Sequence, residues 1–161
     1  MGLALLEAEK SLQAGDFPVG CVVVCDDEIV ARGRRQHSTE DSNNELDHAE
    51  IVALRSLFDQ HPHIQKDKLI LYSTMEPCLM CFSTLLLNGV HGIVYGYEDV
   101  MGGGTNLPLA QMKPLYSEIE VEIVPHVRRN DCLALYKMFF ADPAHSYWRD
   151  SLLATYTLAQ D

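Results

Sequence analysis

Residues 69–87 read LILYSTMEPCLMCFSTLLL, and this stretch decides the fold. Its first five residues are apolar almost throughout, which predicts a strand buried on both faces. Pro77 predicts the start of a helix, because a proline at the first helical position lacks only an N–H that has no partner there. Asn88-Gly89 then predicts the end of that helix. A strand that leads directly into a helix is the building unit of α/β proteins.

The rest of the chain repeats this alternation of strand and helix. Apolar residues at helical spacing predict further helices over residues 3–14, 48–58, 131–140 and 147–158. Apolar or alternating runs predict further strands over residues 19–25, 28–33, 92–96 and 119–124, the first two joined as a hairpin. We therefore predict an α/β fold, a three-layer α/β/α sandwich around a five-stranded mixed sheet. Since no repeat or linker interrupts the chain, we expect one domain over residues 1–161, with 143–161 as a C-terminal helical extension.

The charge balance bears on the class of substrate. The chain has 12 lysine and arginine residues against 23 aspartate and glutamate residues, and its net charge is −11. A protein that binds a polyanion normally offers a basic face, because phosphate contacts supply most of the affinity. The short basic clusters are interpreted as solvated surface: Arg32, Arg34-Arg35 and Arg128-Arg129. The balance favours a small-molecule substrate over a nucleic acid.

Other sequence features bear on location. No apolar run approaches the ~20 residues that cross a bilayer, and the first residues carry no basic region of the kind found in secretory signals. The five cysteines include one Cys-x-x-Cys, a spacing that suits metal binding in a reducing compartment better than disulfides. We expect a cytoplasmic protein that does not enter a membrane.

His48, Glu50, Cys78 and Cys81 form the predicted reactive centre. One imidazole and two thiolates are three ligands for zinc, and they leave the fourth position open, as in catalytic sites. Both pairs fall at predicted helix starts, where backbone N–H groups stabilise thiolates, and Asp47 is the expected N-cap of the first of these helices. Glu50 can exchange protons with a zinc-bound water without being a ligand itself.

A closed structural zinc site is the alternative interpretation, and it requires a fourth protein ligand. The candidates are the remaining cysteines: Cys21, Cys25 and Cys132. Two of them lie in segments that are predicted to be core, and Cys25 lies at the end of a predicted strand. Cysteines in such places are more often small buried hydrophobes than ligands, so the catalytic interpretation is favoured.

The order His-x-Glu followed by Pro-Cys-x-x-Cys is the pattern of the zinc deaminases of nucleobases. Residues 48–50 and 77–81 carry it here, and residues 15–24, GDFPVGCVVV, are similar to the first strand of that family. The chain resembles the cytidine/deoxycytidylate deaminase superfamily, and within it the tRNA-adenosine deaminase and guanine deaminase branch. The resemblance implies a cytidine deaminase-like fold, one Zn²⁺ per chain and a homodimer.

The resemblance also implies a reaction and a set of substrate contacts. A zinc-activated water attacks the carbon that bears the exocyclic amine, Glu50 shuttles protons, and ammonia leaves. Val19 lines the pocket, Glu76 places a backbone carbonyl for the amine of the base, and Phe82 either shapes the pocket or is a core aromatic. His37 lies eleven residues before the zinc histidine, where the tRNA-adenosine enzymes carry an asparagine that contacts the base.

Three functions are open at this point. The leading hypothesis is a hydrolytic deaminase of a free nucleobase or nucleoside, with a purine such as guanine or adenine favoured. The second is a tRNA-specific adenosine deaminase, which makes tRNA an alternative partner. The third is a non-catalytic zinc-binding subunit, against which the presence of Glu50 speaks. The segment that begins at residues 144–149 is interpreted as an extra packing helix, and a lid over the active site is the alternative.

Overall fold

A mixed sheet of five strands runs through the middle of the computed structural model, which describes residues 1–161. The helices are α1 (Gly2–Gln13), α2 (Ala49–Gln60), α3 (Leu79–Leu87), α4 (Pro114–Ser117), α5 (Arg129–Ala141) and α6 (Leu152–Leu158). The strands are β1 (Gly20–Cys25), β2 (Glu28–Arg34), β3 (Ser38–Thr39), β4 (Ser42–Asn43), β5 (Leu69–Met75), β6 (Val90–Tyr97) and β7 (Glu122–Val124).

The strand order in the sheet is β2-β1-β5-β6-β7. The hairpin partner β2 and the central strand β5 both pair with β1 in antiparallel fashion, whereas β5, β6 and β7 are parallel to one another. Parallel neighbours need a crossover, and α3 supplies it between β5 and β6. The separate two-stranded sheet of β3 and β4 lies in the loop before α2. The predicted five-stranded mixed sheet is confirmed.

The helices cover the sheet on both sides, which confirms the three-layer sandwich. One layer contains α2 and α3, and the other contains α1, α5 and α6. Two glycines allow close approach: a Cβ on Gly33 would lie 2.0 Å from the Ala49 carbonyl oxygen, and one on Gly20 would lie 2.3 Å from that of Ala4. Because helices lie on both faces, β1 and β5 are apolar and largely buried along most of their length.

Buried tyrosines anchor the C-terminal helices to the sheet. The hydroxyl of Tyr97 on β6 donates to Thr157 Oγ1 of α6, and that of Tyr136 on α5 donates to Thr74 Oγ1 of β5, each at 3.1 Å. A buried phenol without such a partner would be costly. These bonds fix α5 and α6, and with them the turn segment 142–151 that joins them. None of the helices is both long and apolar enough to cross a membrane.

The predicted N-cap of α2 is wrong. The helix begins at Ala49, and His48 occupies the N-cap position with an extended backbone. The Asp47 carboxylate instead accepts hydrogen bonds from Asn44 Nδ2 at 2.8 Å and lies 2.6 Å from Nδ1 of His37. These donors in the preceding loop engage the carboxylate that would otherwise cap the helix.

Two further boundaries differ from the prediction. Pro77 lies just before Cys78, which is the N-cap of α3, so the proline is outside the helix. The last helix is shorter than residues 147–158, because Ser151 is its N-cap and accepts a hydrogen bond from the N–H of Ala154 at 3.1 Å. Residues 147–150 precede this cap in a turn, which frees Tyr147 to lie elsewhere than on a helix face.

Candidate active site

The starts of α2 and α3 meet at the carboxyl end of β5. His48 is the N-cap of one helix and Cys78 the N-cap of the other, while Cys81 lies in the first turn of α3. Nδ1 of His48 lies 3.5 Å from each of the two sulfurs. All three ligand atoms lie within 4.8 Å of one another. The structure therefore brings together the three predicted metal ligands.

The donor set fits zinc. With Zn–N near 2.0–2.1 Å and Zn–S near 2.3 Å, a tetrahedral arrangement separates nitrogen and sulfur by about 3.5 Å, as observed here. The other ring nitrogen, Nε2 of His48, lies 3.2 Å from Glu45 Oε2. A carboxylate there favours the proton on Nε2 and leaves Nδ1 free as a ligand. Cys21 and Cys132 are buried in the core and stand outside this cluster.

A hydrogen bond between their side chains couples the two cysteines. The hydrogen bond from Cys81, opposed by burial and aided by His48, lowers the pKa of Cys78 to about 4. The same hydrogen bond, together with burial, raises the pKa of Cys81. One sulfur is thus already a thiolate near neutral pH, and a cation that binds both sulfurs displaces the remaining proton.

Glu50 lies in the first turn of α2 beside the three ligands and is buried. Its Oε1 accepts a hydrogen bond from Ser73 Oγ at 3.3 Å, and its Oε2 lies 3.5 Å from the sulfur of Cys81. Burial, and next the nearby Cys78, raise the pKa of this carboxyl group. A buried carboxyl group with a raised pKa next to a metal site can both accept and return a proton.

A cavity of about 250 Å³ opens onto this cluster. His48, Glu50 and Cys78 form one side of it, which we call the metal wall. A second set of lining residues, which we call the substrate wall, consists of two loop residues and three residues from the C-terminal part of the chain. The members of the substrate wall are Arg35, Glu45, Tyr147, Trp148 and Leu153.

Residues 1–97 match the sequence model of the cytidine and deoxycytidylate deaminase zinc-binding region. The chain belongs to this family. It is 31% identical over 137 residues to the tRNA-specific adenosine deaminase of Streptococcus pyogenes serotype M18 (strain MGAS8232), and the match covers 85% of each chain. The family assigns zinc as the cofactor and hydrolytic deamination, with cleavage of a C–N bond, as the reaction.

Solved structures agree with the fold. A chain from a study of A-to-I editing by tRNA:A34 deaminases superposes with a TM-score of 0.69 at 24% identity, over 84% of this chain and 96% of that one. Guanine deaminase from Nitrosomonas europaea superposes with a TM-score of 0.70 at 19% identity, over 88% of this chain and 82% of that one. Both branches suggested by the motifs thus share the architecture of this deaminase.

The four predicted substrate contacts divide into two pairs. Val19 and Glu76 line the cavity. His37 does not: its backbone has φ +55°, and its ring turns to Asp47, with Nδ1 2.6 Å from Asp47 Oδ2. Phe82 is almost fully buried in the hydrophobic core, as its alternative interpretation as a core aromatic requires. Val19 and Glu76 stay predicted substrate contacts, and His37 and Phe82 are not among the residues that line the cavity.

Glu76 organises the glycine-rich loop rather than pointing a free carboxylate at the cavity. Its Oε1 accepts from Thr105 Oγ1 at 2.5 Å, and its Oε2 accepts from the N–H of Asp99 at 3.2 Å. A Cβ on Gly103 would lie 2.5 Å from this carboxylate, so only glycine allows the loop to pack here. The glycine-rich loop, Gly102-Gly103-Gly104-Thr105, is thus tied to a residue two positions before Cys78.

Arg35 and Tyr147 are the site residues that sequence reasoning missed. Arg35 stood in a basic cluster interpreted as solvated surface, yet its side chain is only 2% exposed. Tyr147 stood in a segment predicted to be helical. Its hydroxyl donates to Glu45 Oε2 at 3.0 Å, and its ring packs against Phe17 with centroids 5.5 Å apart. A single sequence carries no signal for these contacts, because they join residues about 100 positions apart.

Proposed function

We propose that this deaminase acts on a free nucleobase or nucleoside, with a purine such as guanine or adenine favoured. The observation that carries the proposal is the substrate wall. Tyr147, Trp148 and Leu153 line the same cavity as the metal wall. A substrate that fills the cavity therefore contacts both the metal wall and the C-terminal part of this chain.

Size and charge support a small substrate. The cavity of about 250 Å³ lies just below the ~300–1,000 Å³ that is typical of sites for drug-sized ligands, which suits a single base. The net charge of −11 opposes the approach of a polyanion unless a local basic surface compensates for it. The one cavity-lining cation, Arg35, is buried and already paired with Glu45.

A second cavity leaves room for a sugar. It shares Glu45, Tyr147 and Trp148 with the first cavity and is lined mainly by polar side chains. Its other polar members include Thr39 and Asn43, whose hydroxyl and amide groups are the usual partners of ribose hydroxyls. This arrangement supports nucleosides as substrates beside free bases.

The residues of the metal wall, together with Cys81, have separate roles in the proposed reaction. His48, Cys78 and Cys81 hold the zinc ion, which when bound supplies the Lewis acidity that makes water a nucleophile at neutral pH. Glu50 accepts a proton from the attacking water and delivers it to the leaving nitrogen. Water adds to the carbon that bears the amine, the C–N bond breaks, ammonia leaves and the ring keeps the oxygen.

A screen for ammonia release tests the proposal. Zinc-loaded protein is incubated with guanine, adenine, cytosine and their nucleosides, and the Glu50→Gln variant serves as the inactive control. We expect release from at least one purine and none from the variant. The proposal would be refuted if none of these compounds released ammonia while inosine formed in a tRNA anticodon stem-loop.

A tRNA-specific adenosine deaminase is the second candidate function. The 31% identity to relatives of that name over 85% of the chain favours it. Its experimental signature is salt dependence, because binding to tRNA weakens steeply with ionic strength whereas binding of a neutral base does not. Activity on the stem-loop that falls at least tenfold between 50 and 200 mM salt, roughly the behaviour of several phosphate contacts, would favour this candidate.

A further inference from the structure

Arg35 is the largest side chain that the fold buries completely, and it lines the active-site cavity. Nη2 is well supplied with acceptors: it donates to the carbonyl oxygen of Asn44 at 2.7 Å, to Glu45 Oε2 at 3.2 Å and to the hydroxyl oxygen of Tyr147 at 3.4 Å. Nε and Nη1, in contrast, are buried and have no hydrogen-bond partner. The guanidinium therefore keeps three N–H donors without an acceptor next to the substrate site.

Unpaired buried donors are expensive. Buried polar groups in folded proteins nearly always have a partner, and an exception calls for a ligand, a water or a strained state to explain it. The guanidinium has its counter-ion, since the Glu45 carboxylate lies 3.2 Å away. Arg35 thus has its counter-ion, but three of its N–H groups have no acceptor. The missing partner is a neutral acceptor, because a second anion would also face Glu45. A carbonyl oxygen, with two lone pairs, can accept from two of these donors, whereas a ring nitrogen accepts from one.

We propose that Arg35 reads the substrate through a neutral carbonyl oxygen, so that the enzyme prefers an amino base that carries an oxo group, such as guanine or cytosine, to adenine. The inference rests on the proposed function and narrows it. Because Nε and Nη1 are buried, contact requires the guanidinium to move towards the cavity, and the bond that it would give up first is the longest of the three, 3.4 Å to Tyr147. An arginine has no acceptor of its own, so it gains nothing from an amino group at the same place.

A matched pair of substrates tests the role of the oxo group. Guanine and 2-aminopurine carry the same leaving amine, and 2-aminopurine lacks the oxo group and the ring proton that accompanies it. We expect kcat/KM for guanine to exceed that for 2-aminopurine by about 10- to 100-fold, the value of a hydrogen bond from a charged donor. Cytosine and 4-aminopyrimidine form the equivalent pair if the enzyme acts on pyrimidines.

Variants assign the preference to Arg35. Arg35→Met keeps the length of the side chain and removes every donor, and we expect it to reduce the preference to within about threefold. Arg32→Gln is the matched control, since Arg32 is exposed on β2 away from the cavity, and it keeps the full preference. Zinc content and the thermal midpoint show whether each variant folds. If Arg35→Met does not fold, Arg35→Lys, which keeps the charge and loses the planar donors, replaces it.

Binding without turnover gives a second readout. In the Glu50→Gln background the fluorescence of 2-aminopurine reports its Kd, and competition gives the Kd of guanine. Guanine is expected to bind about 10- to 100-fold more tightly, and Arg35→Met removes the difference. Guanosine and its 5′-monophosphate are compared in the same assay. Tighter binding of the monophosphate that depends on Arg35 would show a phosphate contact and overturn the carbonyl assignment.

The remaining outcomes distinguish a failure of the role of Arg35 from a failure of the proposed function. The role of Arg35 is overturned if the wild type has the same kcat/KM for both members of a pair, or if Arg35→Met lowers kcat/KM equally for both. In either case, ammonia release still supports the proposed function. Absence of ammonia release from every base and nucleoside overturns the proposed function, and the role of Arg35 falls with it.

Discussion

The metal wall and the substrate wall line one cavity, but they are built in different ways. The metal wall comes from two short motifs, each at the first turn of a helix, so local sequence places its groups. The substrate wall joins Arg35 and Glu45 to Tyr147, which lie about 100 residues apart, so only the complete fold assembles it. Local sequence thus positions the metal ligands and Glu50, whereas long-range tertiary contacts assemble the substrate wall.

Changes in the metal wall are expected to have the largest effects, and two variants separate its functions. Cys78→Ala removes a ligand, so zinc content falls well below one per chain and activity is lost with it. Glu50→Gln keeps the three ligands, so zinc remains bound while kcat falls by about 10²- to 10⁴-fold. Elemental analysis and ammonia release measure the two quantities. Normal turnover by Glu50→Gln on every substrate would remove the carboxylate from the proposed mechanism.

A change in the substrate wall is expected to act on binding alone. Tyr147→Phe removes the hydroxyl that donates to Glu45 and accepts from Arg35. The loss of about 0.5–1.5 kcal/mol predicts a KM that rises by about 2- to 12-fold at nearly unchanged kcat and zinc content. Steady-state kinetics measure this change, and Tyr116→Phe, which lies outside the cavity, is the control. A fall in zinc content would show that the two walls are not separable.

The smallest predicted effect concerns the anchor of the C-terminal segment. Burial would raise the pKa of Glu98, but hydrogen bonds from Arg129 Nε (2.8 Å) and the Tyr156 hydroxyl (2.7 Å) outweigh it and lower this pKa to about 2. The ring of His126 also faces this carboxylate, at 3.4 Å. A folded-state pKa below the unfolded value stabilises the fold above pH ~4.5, and this contribution is lost as the pH falls towards 2.

Urea unfolding of the wild type and Glu98→Gln between pH 6 and pH 3 measures this contribution. We expect the wild type to be more stable by about 1 kcal/mol at pH 6, and the difference to shrink below pH ~4.5. A difference that stays constant over this range would mean that the charge of Glu98 does not anchor the segment.

The sequence is sufficient to predict the fold class and the metal ligands, because both depend on short-range pattern. Strand and helix periods predict the five-stranded sheet, and the spacing of Cys78 and Cys81 places both sulfurs on one side of a helix start. Helix boundaries are less certain. The N-cap of α2 is His48 and not Asp47, since the donors in the preceding loop were not visible in the pattern.

The substrate contacts could not be predicted to the same depth. Counting eleven residues back from the zinc histidine led to His37, but the β3–β4 hairpin intervenes and Arg35 lines the cavity instead. The burial of Arg35 depends on Tyr147, which approaches from a segment predicted as a helix. A charged residue in a basic cluster is normally solvated, so only the packed structure could reveal this exception.

Glu45 has a consequence for how such an enzyme can acquire a new substrate. This one carboxylate contacts Nε2 of His48, Nη2 of Arg35 and the hydroxyl of Tyr147. An exchange at position 45 therefore changes the basicity of the imidazole together with the shape of the site. Arg35 and Tyr147 do not contact the imidazole of His48 in this way. Heritable shifts in substrate preference are accordingly expected to accumulate at these two positions, while Glu45 resists change because two separate requirements act on it at once.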